Sequence, residues 1–394
     1  MERHLKIGYF TPFFAPAWRF GGILRTSYEL GKRLTKRGHQ VNIYTTDVSN
    51  DPKQRLNKHR AKIDGMNVFY FKNFSNWFAS KHKVFIPINI RSKLREEIEE
   101  LDIVHLHDLY TILTYWLYRR VKNTKKPFLV STEGILSPVS QNRFKVIKLA
   151  INSTLLLKVL NRANYIFAQN EGERRNLQTY GLSNVQILFN GIDSKQYKTL
   201  PPKNIFREKY NFSEDDIIVL YLGRLNEIKG LNYLIRAFSM IEKNKKLKLV
   251  LVGPDDNYLN YLISLILKYN LKNRVKIING LYGQEKLEAY SGADIFCLPS
   301  IYDCCPNSMI EALAAGLPVV TTSNNNLCNI IEDSCGEVIE PKNPVEIKES
   351  ILRIVKNLDT IRISTNKHKN EVLNSFDWDN IVNSLENYYY KSLT

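Results

Sequence analysis

Short apolar runs alternate with helical stretches in two successive series, and that alternation leaves few folds open to the chain. In the first series the runs fall at residues 6–10, 40–45, 68–71, 102–106, 128–131 and 165–168. A helical pattern over 23–36, stopped by Gly38, separates the first two. The second series places runs at 217–222, 248–252, 275–278, 295–298 and 319–322, with a helical pattern over 231–241. Strands that each lead into a helix predict parallel sheets covered on both faces. The polar segment 190–204, with two prolines, reads as a linker. The predicted class is α/β, with two Rossmann-like, doubly wound parallel-sheet domains, and ligands are expected at the carboxyl ends of strands. A length of 394 residues supplies two or three full cores.

The segment 299–320, PSIYDCCPNSMIEALAAGLPVV, holds the densest chemistry. It sets Asp303 and Glu311 eight positions apart, with a Pro-Asn-Ser turn between them. A helix-forming run follows and ends at Gly316 and Pro318. Amides at a helix start hold a phosphate, and carboxylates accept hydrogen bonds from hydroxyls. The segment therefore suits an anionic, hydroxyl-rich ligand. The alternative reading of Ser308-x-x-Glu311 is a capping box. Upstream, Gly223-Arg224-Leu225 and Lys229-Gly230 lie between a strand and a helix. Two cations fixed there would stabilise a diphosphate leaving group without a metal; otherwise they are solvated surface charges. Gly253 ends the next strand. Gly280-Leu281-Tyr282 ends another, and would line a base or form a plain turn.

In the first half, Gly21-Gly22 lies on the loop after the first strand, where glycine lets backbone approach a ligand. His105 and His107 alternate along a strand end and share a direction. A metal there lacks an evident third ligand, so no metal site is expected. Glu133-Gly134 follows the next strand. Glu133 either accepts a hydrogen bond from an acceptor hydroxyl or faces solvent.

Taken together, the segment 299–320, the Gly-Arg-Leu and Lys-Gly pair and the Gly-Gly loop resemble the retaining GT-B glycosyltransferases of glycosyltransferase family 4, over nearly the whole chain. The resemblance implies two domains facing across a cleft. An N-terminal acceptor domain would span 1–197 and a nucleotide-sugar domain 198–375, with a final helix, 376–394, crossing back onto the first. It implies transfer of a sugar, with retention of configuration, from a UDP- or GDP-sugar to a hydroxyl of a glycan or lipid-linked acceptor. Cell-surface polysaccharide or glycolipid synthesis is the implied setting, and no cofactor or metal is expected. Arg224 and Lys229, with Gly223, would bind the diphosphate. Asp303 stands where the family usually has Glu, at the donor sugar. Glu311 would hold the ribose, and the Asn307, Ser308 and Met309 amides the sugar and phosphate. Gly253 and Tyr282 fall on the donor side. Gly21, Gly22, His107, Glu133 and Gly134 fall on the acceptor side; many relatives have His where this chain has Glu133.

Charge adds a partner. The net charge of +17 lies wholly in residues 1–197, which hold 32 Lys/Arg against 15 Asp/Glu. Residues 53–95 carry 11 basic residues and one acid, interleaved with aromatics, and 134–170 carry no acid. Residues 144–160 read as a basic amphipathic helix. This pattern predicts docking on an anionic membrane surface; the alternative is core side chains beside solvated lysines. Nucleic acid is the other partner of basic-aromatic segments, and no nucleic-acid module is visible. No apolar run reaches the ~20 residues that span a bilayer, the N-terminus shows no secretory signal, and the five cysteines read as reduced thiols. A cytoplasmic protein, peripheral on the cytosolic membrane face, is expected. Two other classes stay open: a sugar-nucleotide-binding protein that has lost catalysis, and a basic nucleic-acid-binding protein.

Overall fold

The computed structural model describes residues 3–82, 84–88, 90–109, 111–134, 155–242, 246–331 and 335–394. The chain divides into two compact units, one of Met1–Asn190 with Trp378–Thr394, the other of Gly191–Asp377.

The first unit is built on an eight-stranded sheet. Its strands are β1 (Lys6–Phe10), β2 (Gln40–Thr46), β3 (Arg60–Ile63), β4 (Met66–Phe71), β5 (Ile103–His107), β6 (Phe128–Ser131), β7 (Tyr165–Ala168) and β8 (Val185–Ile187). Their order is β3-β4-β2-β1-β5-β6-β7-β8, and only β3 runs antiparallel to its neighbour. Central β1 pairs Ile7 with Val41 on one side and Ile103 on the other. Strands β1, β2 and β5 are buried along almost their whole length, as a parallel sheet under helices requires. The helix Gly22–Lys36 turns Leu24, Leu30 and Leu34 inward.

The last helix, Trp378–Leu393, packs on this same unit. Trp378, Ile381, Val382, Leu385 and Tyr389 repeat at helical spacing and join the cluster around Tyr9, Leu30 and Leu34. Arg37 forms an ion pair with Glu386. His39 Nδ1 accepts from the Leu5 amide at 3.1 Å, which leaves the proton on Nε2 to donate to Glu386 at 2.8 Å. His39 is therefore structural.

The second unit holds six parallel strands: β9 (Ile217–Leu222), β10 (Leu247–Val252), β11 (Val275–Ile278), β12 (Ile295–Leu298), β13 (Val319–Thr322) and β14 (Gly336–Ile339). Their order is β11-β10-β9-β12-β13-β14. Chain direction across the sheet reverses beside β1 in the first unit and beside β9 in the second, which is where such sheets open a crevice.

The segment read as a linker contains the helix Ser194–Lys198. Of the expected amphipathic helix, 144–154 lie outside the described residues; Leu157–Arg162 is helical. The charge segregates by unit, with 32 Lys/Arg against 16 Asp/Glu in the first and 24 against 23 in the second. Among the described residues no helix is long and apolar enough to cross a membrane.

Candidate active site

In the second unit the site begins where β9 ends. The Gly223 amide donates to Val252 O at 2.9 Å, and the Gly253 amide to Ile278 O at 3.0 Å. A Cβ on Gly253 would collide with the Gly223 carbonyl, so this glycine lets the ends of β9 and β10 press together. Arg224 then emerges with 63% of its side chain exposed, and its Nη1 donates to Asp256 Oδ2 at 2.9 Å. Asn226 caps the turn Glu227–Lys229, its Oδ1 accepting from the Lys229 amide at 3.3 Å. Gly230 closes that turn at φ 67°, where a Cβ would strike the Pro299 carbonyl. The turn therefore lies flush against the segment that follows β12. Lys229 and Asp303 form an ion pair there, both largely buried. Asp303 is held by its backbone too, its carbonyl accepting from the Asn326 amide at 3.1 Å.

Glu311 lies in the helix Asn307–Ala314 and is buried. It does not cap the helix: Pro306 occupies the cap position and no side chain bonds there. Lys286 Nζ donates to Glu311 Oε1 at 2.5 Å, and the Tyr290 hydroxyl to Oε2 at 2.9 Å. Lys286 and Tyr290 stand four apart on the helix Gly283–Gly292, so one face presents both. At the start of Asn307–Ala314 the Met309 amide is already used by Pro306 O, at 2.9 Å. Among the described residues the Asn307 and Ser308 amides bond to no protein group, which leaves two donors at the positive end of the helix. Tyr282 precedes Gly283–Gly292 and is well exposed.

The first unit handles its polar groups differently. Gly21 caps the helix Gly22–Lys36 at φ 82°, and the space around the Cβ positions of Gly21 and Gly22 is open. His107 ends β5 fully buried, and neither ring nitrogen has a hydrogen-bond partner among the described residues. Its Nδ1 lies 3.5 Å from Glu133 Oε1. Glu133 does not face solvent: its side chain is 2% exposed and accepts from Gln169 Nε2. Its φ of 53° is left-handed, a conformation a non-glycine residue holds only when its surroundings fix it. Those surroundings include Glu173, which accepts from Thr132 Oγ1 at 2.6 Å and the Gly134 amide at 2.7 Å. Burial pushes the Glu133 carboxyl up to about 8 and the His107 imidazole down to about 3, so both are neutral near pH 7. His105 bonds to Tyr389 and Ser131 at 2.7 and 2.9 Å and belongs to the core. No group of three or more His, Cys, Asp or Glu among the described residues is placed to hold a metal.

Three participants escaped the sequence reading: Asp256 against Arg224, and Lys286 with Tyr290 around Glu311. Their i, i+4 spacing was legible, but the partner lies 25 and 21 residues away and is found only through the fold.

Two doubly wound α/β domains, the second with cations and carboxylates at its strand ends, are the architecture of the GT-B fold. Residues 202–370 match the family model of glycosyl transferases group 1, and residues 20–196 that of Glycosyltransferase Family 4. The chain belongs to this glycosyltransferase family. It is 25% identical over 377 residues to an uncharacterized glycosyltransferase of Methanocaldococcus jannaschii, covering 94% of each chain. It is 22% identical over 392 residues to N-acetyl-alpha-D-glucosaminyl L-malate synthase of Bacillus anthracis, covering 95% of this chain and 94% of that one. Among solved structures, Anabaena HepE in complex with UDP and glucose superposes with a TM-score of 0.77 at 17% identity, over 98% of this chain and all of that one.

Proposed function

We propose that this glycosyltransferase moves a sugar from a UDP- or GDP-sugar to a hydroxyl of a glycan or lipid-linked acceptor, with retention of anomeric configuration and without a metal. One observation carries the reading: the ends of β9 and β12 bring Lys229 against Asp303, beside exposed Arg224 and the two unpaired amides that start the helix Asn307–Ala314. The HepE structure with UDP and glucose supports a nucleotide-sugar donor for a chain of this fold.

In this reading Arg224 and Lys229 take the diphosphate, and the helix start adds its dipole. Asp303, already paired with Lys229, accepts from sugar hydroxyls. Glu311, oriented by Lys286 and Tyr290, accepts from the ribose hydroxyls. The bond from the anomeric carbon to the phosphate oxygen breaks with its electron pair going to the diphosphate. The acceptor oxygen bonds to the same face, and its proton passes to the departing phosphate oxygen. The cations stabilise charge that grows as that bond breaks, so they act on the transition state more than on the bound donor. The Glu133–His107 pair, buried and held neutral, suits neutral hydroxyls on the acceptor side. The basic first unit would bring the enzyme to the cytosolic face of an anionic membrane, where lipid-linked acceptors for polysaccharide or glycolipid synthesis reside.

The test is proton NMR of the product formed from an α-linked UDP- or GDP-sugar on lipid-linked acceptors. An α-linked product supports retention. A β-linked product overturns it.

A further inference from the structure

The short helix Asn76–His82 carries its apolar stripe on the outside. On the helix Trp77 and Phe78 stand four and three positions before Lys81, the spacing that puts them beside it on one face, and Phe74 lies in the bend just before the helix. All four are exposed, Phe74 at 67% and Trp77 at 55%. A face of this composition normally packs into a core. Here the core side is instead Asn76 and Ala79, both buried.

The orientation is fixed from beneath. Asn76 Nδ2 donates to the carbonyls of Asp47 and Gln54, both at 3.2 Å. Asn73 Oδ1 accepts from the Ile86 amide at 2.8 Å, and Arg55 donates to Asn73 O at 2.7 Å and to Asp47 Oδ2 at 3.0 Å. Ala79 packs in a small cluster with Phe13 and Phe85. Turning the aromatics inward would strand these polar groups, so the fold holds three large rings in water.

The surroundings select the partner. Lys81 Nζ sits 5.0 Å from the Trp77 ring centre. Lys53, Lys58, Lys62 and Lys72 are exposed nearby in sequence, and Asp64 is the one acid between residues 53 and 95. Exposed aromatic rings with a lysine beside them, on a segment of strong basic excess, are the chemistry of a bilayer interface. The rings enter the boundary between headgroup and acyl chain while ammonium groups stay with anionic headgroups.

We infer that the face formed by Phe74, Trp77, Phe78 and Lys81 is the element that seats this chain in an anionic bilayer. The assignment rests on the membrane-borne acceptor proposed above and gives it a place on the molecule.

The experiment is vesicle flotation of the full chain on phosphatidylcholine with and without phosphatidylglycerol. It compares the parent with a Phe74→Ser, Trp77→Ser, Phe78→Ser variant and with Lys81→Glu. The substituted side chains are exposed, and an unchanged thermal midpoint confirms that each variant folds. The parent should float only with phosphatidylglycerol, and the triple variant should partition at least about tenfold more weakly. Acyl-chain-brominated lipid should quench tryptophan fluorescence in the parent and less so in Trp77→Phe. A triple variant that floats as well as the parent overturns this face while leaving membrane docking in place. A parent that floats with neither vesicle overturns both. Calorimetry with the UDP- or GDP-sugar, run on the same variants without vesicles, reads donor binding by itself and separates failure here from failure of the donor reading.

Discussion

At the strand ends of the second unit, Lys229 meets Asp303, Lys286 meets Glu311 and Arg224 meets Asp256, each as an ion pair. At the strand ends of the first, His107 and Glu133 face each other at 3.5 Å with burial holding both neutral. The net charge reverses the pattern, since the unit with the neutral pair carries nearly all the excess positive charge. The difference teaches what each edge is suited to meet. Cations and carboxylates held in place by their pairing offer an ionic, hydroxyl-rich ligand charge-assisted hydrogen bonds. A buried pair in which neither residue is charged is suited to hydroxyl groups, whose hydrogen bonds are made without a change of ionisation.

The comparison breaks first at Lys229. If this lysine serves a leaving diphosphate, Lys229→Ala should lower kcat by about 10²–10³-fold, the scale for removing one transition-state electrostatic donor. Steady-state turnover of the donor measures it. A loss below about tenfold would mean that the Lys229–Asp303 pair is structural.

Arg224→Ala and Glu311→Ala should each weaken donor binding by roughly 10–100-fold, the value of a charge-assisted hydrogen bond of about 1.5–3 kcal/mol. Calorimetric Kd values check this. Lys286→Ala should follow Glu311→Ala in direction and fall short of it, because the Tyr290 hydroxyl still orients the carboxylate.

The smallest effect sharpens the other side. Glu133 has its folded pKa raised from 4.5 to about 8, so its contribution to stability is complete below 4.5 and is lost as pH rises through about 8. His107 is lowered from 6.5 to about 3, so its contribution is present above 6.5 and is lost as pH falls towards 3. The two slopes oppose each other between 4.5 and 6.5, and above 6.5 only the Glu133 slope remains. Glu133→Gln should therefore flatten the decline in thermal midpoint between pH 6.5 and 8. An identical slope in parent and variant would show that Glu133 is ionised in the folded chain.

Much of the fold was legible because buried parallel strands leave apolar runs with sharp ends. The expected bounds of 6–10, 128–131, 165–168, 217–222, 275–278, 295–298 and 319–322 coincide with strands of the structure. Strands β3, β8 and β14 were not legible. They are three or four residues long, lie at or next to sheet edges and read RAKI, VQI and GEVI, with charged or polar residues where core strands have apolar ones. At the site, residue types and spacing picked out Arg224, Lys229, Asp303 and Glu311. What they touch was hidden, because Lys229 and Asp303 lie 74 residues apart and meet only through the order of β9 and β12. Glu133 was open between acceptor contact and solvent. Its burial comes from a left-handed backbone and from Gln169, 36 residues on, and neither leaves a local signature.

The central claim is that the second unit binds a nucleotide-sugar through Arg224 and Glu311. The most direct measurement is a thermal-shift screen of the purified chain against UDP-, GDP-, ADP- and CMP-sugars, with Arg224→Ala and Glu311→Ala alongside. A ligand that binds the folded state alone must raise the midpoint. The account predicts a rise with UDP- or GDP-sugars that both variants diminish. A rise that both variants keep in full, or no rise with any nucleotide-sugar, would contradict it.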